Sequence, residues 1–361
     1  MTRLAAALAL LLALAAGCGG SVDQETDPGE LLAVRDGSRL LGLDAATGER
    51  RFALPPGIAS ADGRRYVSAA TTGDRTTLTV FDAHDGTKLS DRSVRGVWRL
   101  GAVSADGRLL ALAGDAKGEL AVLDSDAPLR RIALDGDFAV DAIASDGRSL
   151  FLIERLGGEH YAVRLYDLAA DRLHQGSIRP KNEDEEMVGV AGGQVGTRDG
   201  EWLLTLYVNT REHEAFVHAL NLRERFALCL DLPSEGAGVA ALRGYSLALP
   251  RSGTDVYAAN ARLGVAARVG LRELGSVVPM ALPARGPTPS TAAVSDDGRL
   301  LWVASGRTLQ GLDTNAQNPL PRRTLDAPAT ALAFGRDGRL YVVGASGVLA
   351  LDAATGAPPA A

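Results

Sequence analysis

Two short patterns recur along this chain at intervals of roughly forty to fifty residues, a period that belongs to repeat architectures. The first is a polar turn running into an apolar stretch. It reads SADGRRYVSA (60–69), SADGRLLALA (104–113), ASDGRSLFLI (144–153), TRDGEWLLTL (197–206), SDDGRLLWVA (295–304) and GRDGRLYVVG (335–344), with PRSGTDVYAA (250–259) as a degenerate copy. The second is a short strand ending in Asp and a turn. It reads LDAATG (43–48), FDAHDG (81–86), LDSDAP (123–128), YDLAAD (166–171), LDTNAQ (312–317) and LDAATG again (351–356), while HALNLRE (218–224) and ARVGLRE (267–273) hold equivalent places.

Each unit reads as a meander. An apolar strand ends at Asp-Gly, a stretch such as RLLALAG follows, ELAVLD runs back to the second turn, and a more polar strand such as LRRIALDG completes it. Asp-Gly suits a hairpin because Gly accepts positive φ and Asp bonds its own turn backbone. In LDAATG, Asp44 and Asp352 are expected to accept from turn amides, with Gly48 and Gly356 in the left-handed conformation. The middle strands are continuously apolar, as strands covered on both faces are.

Four-stranded units at this period predict an all-β fold, a β-propeller of four-stranded antiparallel blades. SADGRLLALA, SDDGRLLWVA and TDVYAAN resemble the YVTN and WD40-like propeller repeats of bacterial envelope proteins. The Trp-Asp and Gly-His signatures of true WD40 repeats are absent, so no residue role transfers from them. Residues 31–57 are expected to supply the last three strands of one blade and 329–356 the first three of another, with six complete units between. Eight blades follow; seven would require the end fragments to fuse and leave strands over. A closed ring makes the terminal modules neighbours, which explains one hexapeptide at both ends. A two-domain β-sandwich is the competing fold, and sandwiches show no such internal period.

The chain starts MTRLAAALALLLALAAGCGG. Arg3 gives a positive n-region, and Leu4 to Ala16 is apolar for 13 residues, short of the roughly 20 that span a bilayer. This pattern fits a signal peptide over 1–17. LAAGC resembles the lipobox of bacterial lipoproteins, with Ala15 where Leu is commonest, and the resemblance implies lipidation of Cys18. An ordinary secretory signal with an incidental Cys18 is the alternative. Residues 18–30 are polar and Gly-rich and read as a tether, 31–356 as one propeller domain, and 357–361 as a tail. The expected location is therefore extracytoplasmic, with a lipid anchor on the cell or outer membrane.

Charge narrows the partners. Of 38 basic residues one is Arg3 in the leader, and 44 acids face the rest. Nucleic acid binding needs a clustered basic surface, which this balance argues against. Contact with membrane is expected only through the anchor. Cys229 lies in the apolar run FALCLDL and reads as buried and inert.

The repeat is most disturbed between the fourth and fifth units, where RPKNEDEEMVGVAGG (179–193) inserts Glu183, Asp184, Glu185 and Glu186. Such a loop either forms a binding surface or is a solvated acidic segment. No D-x-D-x-D-G spacing supports a preformed Ca²⁺ site, so no metal is expected. His213 and His218 are five apart, an odd spacing that sets them on opposite faces of a strand. His213 belongs with a hairpin tip that could join a binding surface; His218 reads as a core histidine. Trp202 and Tyr207 read as core.

No G-x-S-x-G, H-E-x-x-H or phosphate-cradling loop is present, and no cofactor is expected. The function expected from this reading is a binding or scaffold module recognising an envelope protein or polymer through inter-blade loops. The alternative is a propeller enzyme, a lactonase-type hydrolase or quinone-dependent dehydrogenase, with its site at the channel.

Overall fold

A computed structural model describes residues 31–358, apart from 46, 125–126, 182–185, 252, 254, 272–274 and 288. Cys18 and the tether lie outside the described residues, as do Glu183, Asp184 and Glu185. The described chain forms eight antiparallel sheets in sequence order. Their spans are 31–54, 57–95, 99–133, 138–188, 190–231, 246–281, 291–324 and 329–351, here blades one to eight. Among the described residues one short helix, Val239–Leu242, bridges blades five and six.

Within blade three the strands Arg99–Val103, Leu109–Ala113, Glu119–Asp124 and Arg130–Ala133 pair each with the next, as the meander predicts. The two middle strands are buried, for each is covered by a neighbouring sheet on both sides. Leu110, Leu112, Ala121 and Leu123 pack with Val67 and Leu78 of blade two and with Trp98 of the link that follows it, while Leu120 and Val122 pack with Leu150, Leu152 and Tyr166 of blade four. A two-domain sandwich is excluded by this arrangement.

Blades one and eight have three strands each. The LDAATG of blade one follows its middle strand, Arg39–Asp44, and that of blade eight follows its last, Gly347–Leu351. Complete blades carry this marker after the third strand, so among the described residues blade one is without an innermost strand and blade eight without an outermost one, as expected from the repeat. Leu31–Asp36 consequently borders the channel, and Arg35 lines it.

Both hexapeptides fold alike. Thr47 N donates to Asp44 Oδ1 at 3.0 Å and Thr355 N to Asp352 Oδ1 at 2.8 Å, with Gly48 at φ 72° and Gly356 at φ 65°. Each turn is held by the blade before it. Trp302 of blade seven, fully buried, donates from Nε1 to the Ala353 carbonyl at 2.9 Å. Tyr341 of blade eight donates its hydroxyl to the carbonyl of Ala45, the matching residue in blade one. At Gly356 a Cβ would stand 2.6 Å from the Trp302 ring, so space as well as φ demands glycine there.

The junction between the chain ends thus repeats an ordinary blade contact. Val34, Leu41 and Leu43 of blade one pack against Ala331 and Val343 of blade eight. Among the described residues no strand of one terminal blade joins the sheet of the other, and side-chain packing joins the two. Replacing Tyr341 with Phe leaves the buried Ala45 carbonyl without that donor and is expected to cost about 1–3 kcal/mol. Urea unfolding should register the loss in one cooperative transition, while Leu89→Ala, at a side chain 53% exposed, stays within about 0.5 kcal/mol of the parent.

Candidate binding channel

The innermost strands of blades two to five line a central cavity of roughly 370 Å³. Four innermost strands carry a register shift, at Gly101, Asp141, Gly192–Gly193 and Thr330. An inserted residue in a bulge re-aims its side chain. In blade four that residue is Asp141, and its carboxylate lies in the cavity wall. Gly101 holds the matching place in blade three, where a Cβ would stand 2.5 Å from Val140. Among these three neighbouring bulges only blade four's presents a side chain to the channel.

Gln194 Nε2 donates to Asp141 Oδ1 at 3.1 Å and to Thr205 Oγ1 at 3.2 Å. Burial in the wall outweighs that hydrogen bond and pushes the Asp141 carboxyl up to about 7. Behind the wall, Tyr161 of blade four stacks on Tyr207 of blade five with ring centroids 4.5 Å apart. His218 meets both rings edge-on, and its Nδ1 is 3.8 Å from Cys229 Sγ. Burial lowers the His218 pKa to about 4, so the ring is neutral. His218, Tyr207 and Cys229 are core residues, as expected; Trp202 is half-buried and also borders the cavity.

One end of the channel is framed by the Asp-Gly turns. The residue immediately before the Asp or Ser of each turn gives a column: Ala61, Ala105, Ser145, Arg198, Arg251, Asp296 and Arg336 in blades two to eight. The column is small in blades two to four and charged in blades five to eight. Arg198, Arg251 and Arg336 share a second cavity of roughly 560 Å³, walled on another side by Leu31, Leu32 and Phe334. Arg251 Nε pairs with Asp296 Oδ1 at 2.9 Å and its guanidinium also donates to the Phe334 carbonyl at 3.1 Å.

The residues singled out from the sequence lie elsewhere. The outer strand of blade four is split into Arg172–Leu173 and Met187–Val188, both paired with His160–Asp167. The acidic segment falls between these two short strands, and its Glu183, Asp184 and Glu185 lie outside the described residues. Glu186 Oε2 sits 3.2 Å from His160 Nδ1. Pro180 bridges to Ala227 of blade five, and Lys181 Nζ lies 3.7 Å from the Phe226 ring centroid. His213 occupies the turn after Trp202–Asn209 with φ 58°, a hairpin tip as expected. It borders a different hollow from Glu186, so the structure does not unite them. Among the described residues no three His, Cys, Asp or Glu side chains form a group able to hold a metal ion.

Asp141 and the three arginines escaped the sequence reading. A bulge leaves no mark on the apolar pattern of a strand. The arginines did leave one, a fixed place beside the repeated turn, visible only once the turns are known to converge.

No protein-family model matches the chain, and no curated protein sequence matches it. Solved structures do. Apo AztD from Citrobacter koseri aligns over 91% of this chain and 93% of its own with a TM-score of 0.57 and 12% identity. The dihydro-heme d1 dehydrogenase NirN, in complex with DHE, aligns over 91% of this chain and 72% of its own at 0.55 and 18%. The Dos1 propeller aligns over 89% and 91% at 0.54 and 14%. At such identities these likenesses establish the propeller fold and nothing further.

Asp141 and His218 make opposite demands on pH. Unfolded, they ionise near 3.8 and 6.5; folded, near 7 and near 4. Between about pH 4 and 6.5 the unfolded chain holds a proton on His218 and the folded chain holds one on Asp141, so their effects on stability cancel. Asp141→Asn leaves only the histidine, whose stabilising contribution is lost as pH falls, so stability climbs with pH by up to about 1.4 kcal/mol per unit. His218→Phe leaves only the raised carboxyl, and stability declines with rising pH. Urea midpoints across that window are expected to slope in opposite directions for the two variants.

Proposed function

We propose that this protein is a lipid-anchored, extracytoplasmic propeller that serves as a binding module at the cell envelope. Cys18 carries the anchor, residues 19–30 give reach, and the ring presents loop-built faces to an envelope protein or polymer. The acidic segment 179–193 and the His213 tip supply side chains for that contact. The observation that carries the reading is the content of the channel. Among the described residues its wall offers one carboxyl, Asp141, hydrogen-bonded to an amide, with no convergence of acids and histidines from three blades. Catalysis by acid and base needs partnered groups within reach of one reacting atom.

One observation favours an enzyme instead. A carboxyl brought to about 7 is suited to proton transfer near neutral pH. The groups described beside it are Gln194 and Thr205, which orient rather than exchange protons, and recognition remains the better account.

Crosslinking in intact cells is expected to capture a reproducible envelope partner, and deletion of residues 181–187 to abolish that capture. Turnover of lactones by the purified domain, or dehydrogenase activity on adding pyrroloquinoline quinone, would replace the binding account with the enzymatic one. The anchor has a separate test. Cys18→Ala should shift the protein from the membrane fraction to the soluble one, and undiminished membrane retention would remove the lipid from the proposal.

A further inference from the structure

We propose that the central channel is a binding site for a small zwitterion, a molecule whose ammonium and carboxylate ends are separated by a short apolar chain. The ammonium meets Asp141 of blade four, and the carboxylate meets Arg35 of blade one. This site is separate from the surface contact proposed above and stands or falls without it.

Among the described residues lining the cavity of roughly 370 Å³, only Arg35 and Asp141 carry charge, one of each sign. Their blades stand three places apart around the ring. The two side chains do not pair. An ion pair would hold the carboxyl low, whereas burial raises it, and the influence that opposes the rise is the Gln194 hydrogen bond. Arg35 makes no hydrogen bond or ion pair among the described residues. Its charge is felt instead at the Tyr66 hydroxyl of blade two, which burial keeps protonated. Two opposite charges therefore face one cavity without meeting. A simple cation seated at Asp141 would face Arg35, and a simple anion seated at Arg35 would face Asp141. A zwitterion satisfies both.

The polar atoms left open decide which end goes where. The Ser60 hydroxyl donates to Asp62 and accepts from Arg65 N, and the Thr197 hydroxyl donates to Asp199 and accepts from Trp202 N. Both are spent within their own turns. Gln194 Nε2 is spent on Asp141 Oδ1 and Thr205 Oγ1. Asp141 Oδ2 and Gln194 Oε1 have no partner among the described residues. Two neighbouring acceptors call for a ligand group rich in donors, and an ammonium carries three. The Arg35 guanidinium offers a planar fork that holds a carboxylate by two parallel hydrogen bonds. The wall between them is mostly apolar: Gly101 and Gly196 leave space, and Ile143 and Trp202 give a surface for a hydrocarbon spacer. The volume lies within the usual range of small-molecule sites.

The test is titration calorimetry on the full-length protein with 6-aminohexanoate, and with hexylamine and hexanoate as probes that keep one charged end each. The zwitterion is expected to bind saturably and at least about tenfold more tightly than either. Asp141→Asn and Arg35→Gln should each weaken it at least about tenfold, while Arg95→Gln, on an outer strand, leaves it unchanged. Arg35→Gln, at an exposed side chain, should keep the parent's melting temperature, which separates loss of the site from loss of the fold. The other ionisable groups around Asp141 are the Tyr161 and Tyr207 hydroxyls behind the wall, His218 and Cys229 beyond them, and Arg35 across the cavity. Burial keeps both hydroxyls protonated and His218 neutral. Below about pH 7 a proton competes for the Asp141 carboxyl, so affinity should fall towards tenfold per pH unit, a slope absent from Asp141→Asn. Absence of saturable 6-aminohexanoate binding overturns the proposal, as does parental affinity in Asp141→Asn or Arg35→Gln. Binding of hexylamine or hexanoate as tight as that of the zwitterion overturns the two-ended assignment.

Discussion

Each sheet in this molecule has two apolar faces and depends on a second sheet beside each of them. A line of such sheets always leaves two faces bare, whereas a ring leaves none. The geometry of closure therefore governs everything else. Here it is met by repetition: the contact joining blade eight to blade one is the contact joining blade seven to blade eight. Tyr341 reaches Ala45 as Trp302 reaches Ala353, and among the described residues no strand is exchanged between the two blades.

Closure also makes the channel. In blade one Leu31–Asp36 is the first described strand, and it brings Arg35 to the lumen. The bulge in blade four delivers Asp141, and the Asp-Gly turns collect side chains from blades far apart in sequence. The scaffold is regular and the lining is not, which is how repeat proteins come to carry distinct sites. The two unusual electrostatic features, the Asp141 carboxyl raised by burial and the Arg198 guanidinium lowered by it, face this lumen and its mouth.

The sequence was readable where a local rule governs the structure. Blade number, strand order, the turn bonds of Asp44 and Asp352, and the buried states of His218 and Cys229 followed from periodicity and turn chemistry. The site was readable only in part. Glu186 and His213 attracted notice because they break the pattern, yet they sit on the rim and on a hairpin tip. Asp141 lies within a strand that looks ordinary, and its position depends on one extra residue in the register. Arg198, Arg251 and Arg336 are 53 and 85 residues apart along the chain and meet only through the ring.

The closed ring can be tested at its seam. A Cβ at Gly48 would lie 3.4 Å from Val348 Cβ, close to the spacing of a disulfide. In residues 19–361 carrying Gly48→Cys and Val348→Cys, mild oxidation is predicted to form an intramolecular bond in the monomer, seen as faster migration without reductant. Thiols that stay free, or that link only between molecules, would contradict the ring.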